Sequence, residues 1–298
     1  MANFILHQNA FDKCNNAVVI SGGARNGTTI IGKIIHSLKN IEYFFEPPTL
    51  VSLFPLIDQL PEAEWKLLYE TYLYEDMLLN ALAGRNLNHN LEDDSSIFKV
   101  KMQEDIENRK QRSLGKTELT ELAEERIIAF KNPDLVPYLP KLVRLYPETK
   151  NVVMRRNPSD AISSIIEKKW FGNHEQVLIW PTKVYKESVI PYWVKSSEEE
   201  LWLDLTEEDR AAYYYIRMME AYPELEKKLV LNYEELVESP RKVTERLSTF
   251  IGAEITSKTE EILSNIYMRN INGKTEKLNV LSEEMRKKVQ DAYERSLT

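Results

Sequence analysis

The 298-residue chain carries 47 acidic and 39 basic residues, a formal net charge of −8. That balance argues against nucleic acid or a sulfated polyanion held by diffuse positive charge. Apolar residues make up 43% of the chain, enough for a full core, and the length suits one large α/β domain. Cys14 is the only cysteine, which excludes an intrachain disulfide and a cysteine-based zinc site. The first fourteen residues lack a basic start followed by a long apolar run, and no stretch has the length and apolarity of a membrane span. The expectation is a cytoplasmic protein with no membrane span and no nucleic-acid partner.

Ala17-Val18-Val19-Ile20 is a short apolar run between polar residues and reads as a buried strand. A glycine-rich turn, Ser21–Thr29, comes next, and Ile30, Ile31, Ile34, Ile35 and Leu38 then mark one face of a helix. Glu46 follows in Phe44-Phe45-Glu46-Pro47-Pro48. Residues 50–125 are helix-rich, with Trp65, Leu68, Tyr69 and Tyr72 at helical spacing, and the polar stretch Arg85 to Ser96 interrupts them. Ile127-Ile128-Ala129-Phe130 and Asn151-Val152-Val153-Met154 repeat the buried-strand pattern. Asn157 can then cap a helix with Pro158 at its first position. Residues 170–205 read as loop-like and aromatic, with Trp170, Phe171, Trp180, Tyr192, Trp193 and Trp202. Most of those rings belong to packing, and the functional alternative is a lid over an acceptor. Leu229-Val230-Leu231 is the fourth strand. Ser239-Pro240 starts a helix that Gly252 stops after Val243, Leu247, Phe250 and Ile251.

Continuously apolar strands are covered on both faces, as in a parallel sheet. Strands alternating with helices define an α/β fold of three layers, a central, mainly parallel sheet flanked by helices. The sequence therefore predicts a single domain over residues 1–298, with insertions at about 50–125 and 170–205 forming an acceptor lid.

The turn Ser21–Thr29 carries the clearest chemistry. Its glycines let the backbone approach a ligand closely, and the free N–H groups at the start of the following helix favour an anion. Arg25 adds a charged donor fork, and Thr28 and Thr29 add hydroxyls. Gly22 and Gly27 have the separation of a P-loop, but Thr28 stands where the lysine belongs, and no predicted strand ends in an aspartate to help hold Mg²⁺. The loop is P-loop-like without the parts for ATP or GTP hydrolysis. Ligands in open α/β sheets sit beyond the carboxyl ends of the strands. Arg25, Lys131, Arg156 and Tyr233 all fall just past such ends, so three cations converge on one crevice of an acidic protein.

Ala24-Arg25-Asn26-Gly27-Thr28-Thr29 resembles the 5′-phosphosulfate loop of sulfotransferases that use 3′-phosphoadenosine 5′-phosphosulfate (PAPS). It is closest to the Arg-Ser-Gly-Thr-Thr form of the carbohydrate and tyrosylprotein branches, with Asn26 in place of the serine. Val152 to Ser164 is similar to the family's 3′-phosphate segment, in which a strand ending in Arg is followed eight positions later by Ser, here Arg156 and Ser164. Phe130-Lys131-Asn132-Pro133 resembles its Lys-x-Pro step. Leu231-Asn232-Tyr233-Glu234-Glu235-Leu236 resembles its Tyr-Glu-(Asp/Glu)-Leu segment. All four occur in the family's order, from residue 17 to about 252.

The resemblance implies a PAPS-dependent sulfotransferase that needs no metal and releases 3′-phosphoadenosine 5′-phosphate (PAP). Gly23, Ala24, Arg25, Asn26, Gly27, Thr28 and Thr29 would surround the 5′ end. Arg156 and Ser164 would bind the 3′-phosphate, and Tyr233 the adenine side. Arg269, Asn272 and Lys274 would close over the nucleotide, although a solvated turn explains those three equally well. Lys131 would neutralise the leaving oxygen. Glu46, seventeen positions past Thr29, would be the general base. Beside two phenylalanines and two prolines it is expected to be desolvated and so more basic. The histidines His7, His36, His89 and His174 are weaker candidates, and His36 reads as structural. The acceptor is a small molecule or a carbohydrate, and a phenol, a lipid-like metabolite, a peptide tyrosine or an amine stays open. The rival readings are a P-loop kinase-like phosphotransferase for a small metabolite and a non-catalytic PAP-binding protein.

Overall fold

The computed structural model describes residues 6, 8–93, 95–111, 114–172, 181–266 and 277–296. Its centre is a five-stranded sheet built from β1 (Val18–Ser21), β2 (Ile41–Phe45), β3 (Ile127–Lys131), β4 (Lys150–Arg155) and β7 (Lys228–Asn232). The spatial order is β2-β3-β1-β4-β7 and every pairing is parallel. In β1, Val18 and Ile20 face one layer and Val19 faces the other, and all three are fully buried. Both faces are apolar, which is why the strand is a continuous apolar run rather than an alternating one.

The first layer holds the helices Thr28–Ser37 and Pro240–Ile251, whose Ile31, Ile34, Ile35, Val243, Leu247 and Ile251 belong to one apolar cluster on that face of the sheet. The opposite layer is larger. It combines the helices Gln8–Asn15, Glu62–Glu70, Pro158–Ile166, Glu207–Met219 and Glu283–Arg295. The four predicted strands and the three-layer architecture are therefore present.

Two elements depart from the sequence reading. The edge strand β2 was not among the predicted strands, because its second residue, Glu42, breaks the apolar run. Here that carboxylate is buried, and Arg109 holds it with two hydrogen bonds of 2.8 and 3.0 Å. Arg126 lies 3.5 Å away, and Lys101 donates to the backbone oxygen of Ile41. The other departure lies in residues 170–205, read as loop-like. They contain an antiparallel hairpin, β5 (Thr182–Tyr185) and β6 (Ser188–Pro191). Its turn residues, Lys186 and Glu187, have φ of 45° and 67°. That backbone suits Asn-Gly, so the local signal for a hairpin is missing.

The region 50–125 is helical as expected, with the helix Glu62–Glu70 running on into π-helical turns over Thr71–Leu79. Trp65 and Tyr69 stack in the core at 4.9 Å, whereas Leu68 faces solvent. In the second insertion Phe171, Trp193 and Trp202 meet edge to face with Tyr213 and Tyr214 nearby, so these rings are packing residues. Trp180 lies outside the described residues. Among the described residues no helix is long and apolar enough to cross a membrane.

Candidate active site

The site forms at the carboxyl edge of the sheet, where parallel strands deliver their last residues side by side. The turn after β1 is shaped by two glycines. At Gly22 (φ 135°) a Cβ would stand 2.0 Å from the carbonyl oxygen of Met154, and at Gly27 (φ 92°) it would meet the Tyr233 ring at 2.6 Å. Only glycine fits either place. Gly27 is the N-cap of the helix Thr28–Ser37, so the first N–H groups of that helix have no partner within it, and Gly27, Thr28, Thr29 and Ile30 line the cavity at this edge. Thr28 is buried, and Thr29 is exposed.

Arg25 takes a left-handed backbone (φ 68°) and is exposed, with Nε donating to Ser164 Oγ at 2.9 Å. The residue expected at the 5′ end thus touches one expected at the 3′ end, so the residues predicted for the two anions adjoin. Asn26 is buried and donates to the Ala24 carbonyl at 3.2 Å, bracing the loop from inside. The Ala24 N–H is also turned inward, donating to Tyr214 Oη at 2.7 Å. Arg156 lies over the Tyr233 ring at 4.8 Å and reaches the Arg25 carbonyl at 3.4 Å. Its Nε is buried with no hydrogen-bond partner among the described residues. The preceding Arg155 points the other way, onto Asn232 and Ser296 at 2.9 Å each, and is a structural residue.

Lys131 ends β3 with its side chain 4% exposed. It donates to Glu46 Oε1 at 2.5 Å and to Thr29 Oγ1 at 3.3 Å, and its ammonium sits 4.3 Å from the centre of the Phe45 ring. Glu46 continues the ladder past β2, its N–H donating to the Lys131 carbonyl at 2.8 Å, and then turns out with φ 44°. A non-glycine residue held in that conformation costs about 1–3 kcal/mol, and such positions cluster at functional sites. The desolvated setting expected from the flanking phenylalanines is not found. The Glu46 side chain is 41% exposed and ion-paired, because Phe44 points into the core while Phe45 faces solvent.

A cavity of about 430 Å³ runs from this edge along the loop helix, lined by Arg25, Thr29, Lys33, Arg156 and Tyr233. Asp93 and Ser95 of the first insertion border its far side. His36 also lines it; burial, then Lys101, pushes its imidazole well below the usual range, and the ring packs on Tyr43 at 5.3 Å. His89 is exposed beside Phe98. His7, His174, Arg269, Asn272 and Lys274 lie outside the described residues.

The sequence reading missed Tyr214 and Asp134. Tyr214 sits in a run of three tyrosines with nothing local to single it out, and Asp134 follows the Lys131-Asn132-Pro133 step by one residue. Tyr214 Oη donates to Asp134 Oδ1 at 2.5 Å. Burial pushes the Asp134 carboxyl up to about 6, against the pull of that hydrogen bond and of Lys131.

Fold and site together define a P-loop-like α/β protein whose cations gather at the carboxyl edge of a parallel sheet. The model of the sulfotransferase family matches residues 17–257, and the chain belongs to that family. No curated protein matches it. Among solved structures it is similar to the sulfotransferase domain of the Synechococcus PCC 7002 olefin synthase, at 16% identity over 95% of this chain and 94% of that one (TM-score 0.48). It is also similar to the sulfotransferase domain of the curacin biosynthetic pathway, at 15% identity over 86% and 78% (TM-score 0.45). A third is retinol dehydratase in complex with retinol and PAP, at 13% identity over 97% and 84% (TM-score 0.38).

Proposed function

We propose that the protein moves the sulfonate group of PAPS to a hydroxyl of a small-molecule or carbohydrate acceptor, with Glu46 as base, in the manner of the carbohydrate and tyrosylprotein branches. The observation that carries this reading is the hydrogen-bonded unit Glu46–Lys131–Thr29 standing beside the Arg25–Ser164 pair and Arg156. A group of cations at one strand edge suits a nucleotide charged at both ends of its ribose. The unpartnered Arg156 Nε, buried against the loop, is a donor that a 3′-phosphate would satisfy.

In this reading PAPS supplies the sulfonate and departs as PAP. Glu46 accepts the acceptor's proton as the new oxygen–sulfur bond forms. Lys131, Arg25 and the helix N-terminus face the phosphate oxygen that receives the electrons of the breaking bond. Such catalysis is mostly alignment and fixed charge. The exposed Phe45 ring beside Glu46 offers an apolar face for the acceptor.

Transfer from PAPS should proceed without magnesium, and ATP should not replace PAPS; the opposite result would favour a kinase-like enzyme. Lys131→Ala should lower turnover about 10²-fold, the loss of one transition-state donor, in a PAPS-dependent assay over a panel of hydroxyl acceptors. Arg156→Ala should weaken PAP about 10- to 100-fold, as expected for a charge-assisted contact, while AMP changes little. Titration calorimetry with both nucleotides measures this, and an unchanged preference for PAP over AMP would remove the 3′-phosphate role.

A further inference from the structure

The loop that carries Arg25 is tied to the opposite layer of the protein by a chain that the reaction itself does not use. The Ala24 N–H donates to Tyr214 Oη at 2.7 Å, and Tyr214 Oη–H donates to Asp134 Oδ1 at 2.5 Å. The Tyr214 ring and the Asp134 backbone are both held by neighbours. Tyr214 is 3% exposed, with its ring against Phe171 and Trp193. The Asp134 N–H is capped by Asn132 Oδ1 at 3.3 Å, and the Asp134 carbonyl accepts from Tyr192 Oη at 3.0 Å. Asp134 lies three residues after Lys131, so one short segment serves both the cation and the anchor.

We propose that Asp134 and Tyr214 are positioning residues for the anion-binding loop. They hold the peptide before Ala24 turned inward, so that Arg25 and the amides after Gly27 face the bound anion. The geometry supports this in two ways. Arg25 sits in a left-handed conformation that a freely moving loop would leave, and the Ala24 N–H is the backbone donor next to it. The loop is also held to the Glu207–Met219 helix by this contact, since Tyr214 belongs to that helix. The proposal rests on the anion-binding reading of the loop.

The test compares Tyr214→Phe, Asp134→Leu and Asp134→Asn with the wild type. Amide hydrogen exchange over residues 21–29 and PAP affinity by calorimetry are read alongside the thermal midpoint. Tyr214→Phe and Asp134→Leu should each speed exchange at Ala24 about tenfold and weaken PAP about 3- to 10-fold, the scale of one neutral hydrogen bond. Asp134→Asn keeps an oxygen that accepts from Tyr214 and should restore both readouts towards wild type. Unchanged exchange in Tyr214→Phe would overturn the proposal, and so would faster exchange with unaltered PAP affinity. Equal loss in Asp134→Asn and Asp134→Leu would also overturn it, by assigning the effect to charge rather than position. A wild type that binds no PAP would instead sink the sulfotransferase reading, while exchange still decides whether the chain anchors the loop.

Discussion

Replacing Glu46 by glutamine is expected to cut turnover by about 10²–10⁴-fold, the range for a removed general base, with PAP affinity kept within a few-fold. Glutamine preserves the size of the side chain and an oxygen that accepts from Lys131, so the 2.5 Å contact has a replacement and the loop geometry survives. What is lost is the capacity to take a proton. The pairing with Lys131 sharpens this expectation. One ammonium bridges the base and Thr29, so the acceptor proton and the developing negative charge are handled within one hydrogen-bonded unit. Single-turnover transfer from PAPS to an acceptor, with PAP titration as the control, measures the effect. Near-normal transfer in Glu46→Gln would show that the base lies elsewhere.

The other large effect concerns stability. Glu42→Ala should destabilise the fold by about 3–5 kcal/mol, because it leaves the buried Arg109 guanidinium with only the partly exposed Asp105 carboxylate and takes the counter-charge from Lys101 and Arg126. Arg109 Nη1 and Nη2 bind the two Glu42 oxygens, and the same guanidinium bonds Asp105 and the Ala81 carbonyl, tying the first insertion to the edge strand. Burial alone would raise the Glu42 carboxyl, but Arg109, Lys101 and Arg126 outweigh it and hold the group at about 2 instead of the ordinary 4.5. Its contribution is therefore complete above about pH 4.5 and is lost as pH falls through 2. Urea unfolding at pH 7 should show the loss for Glu42→Ala. Between pH 4.5 and 2 the wild type should lose stability more steeply than the variant. A variant as stable as the wild type, with the same acid dependence, would show that the pair adds nothing to the fold. The double variant Glu42→Gln/Arg109→Met should recover only part of the loss, since Lys101 and Arg126 still lose the Glu42 charge and Asp105 loses Arg109.

Much of the scaffold was readable from local patterns. The strands β1, β3, β4 and β7 are apolar on both faces, so their runs stand out without any knowledge of neighbours. The turn Ser21–Thr29 announces itself through its glycines and hydroxyls. Placing Arg25, Lys131, Arg156 and Tyr233 at one edge required only the rule that parallel strands expose their carboxyl ends together, and all four lie there. The sequence by itself determined four of the five strands, the loop and the cations at the edge, because each depends on residues close together in the chain. The spacing to Ser164 singled out Arg156 of the tandem arginines, and it lines the crevice, but only the tertiary structure gave Arg155 its partners, Asn232 and Ser296. It also recruited the edge strand through a buried Glu42–Arg109 pair 67 residues apart, anchored the Ala24 N–H on Tyr214 190 residues away, and exposed Glu46 to solvent and Lys131. A charge reads as a surface residue until its distant partner is known. Those partners are set by packing between layers, which no local pattern records.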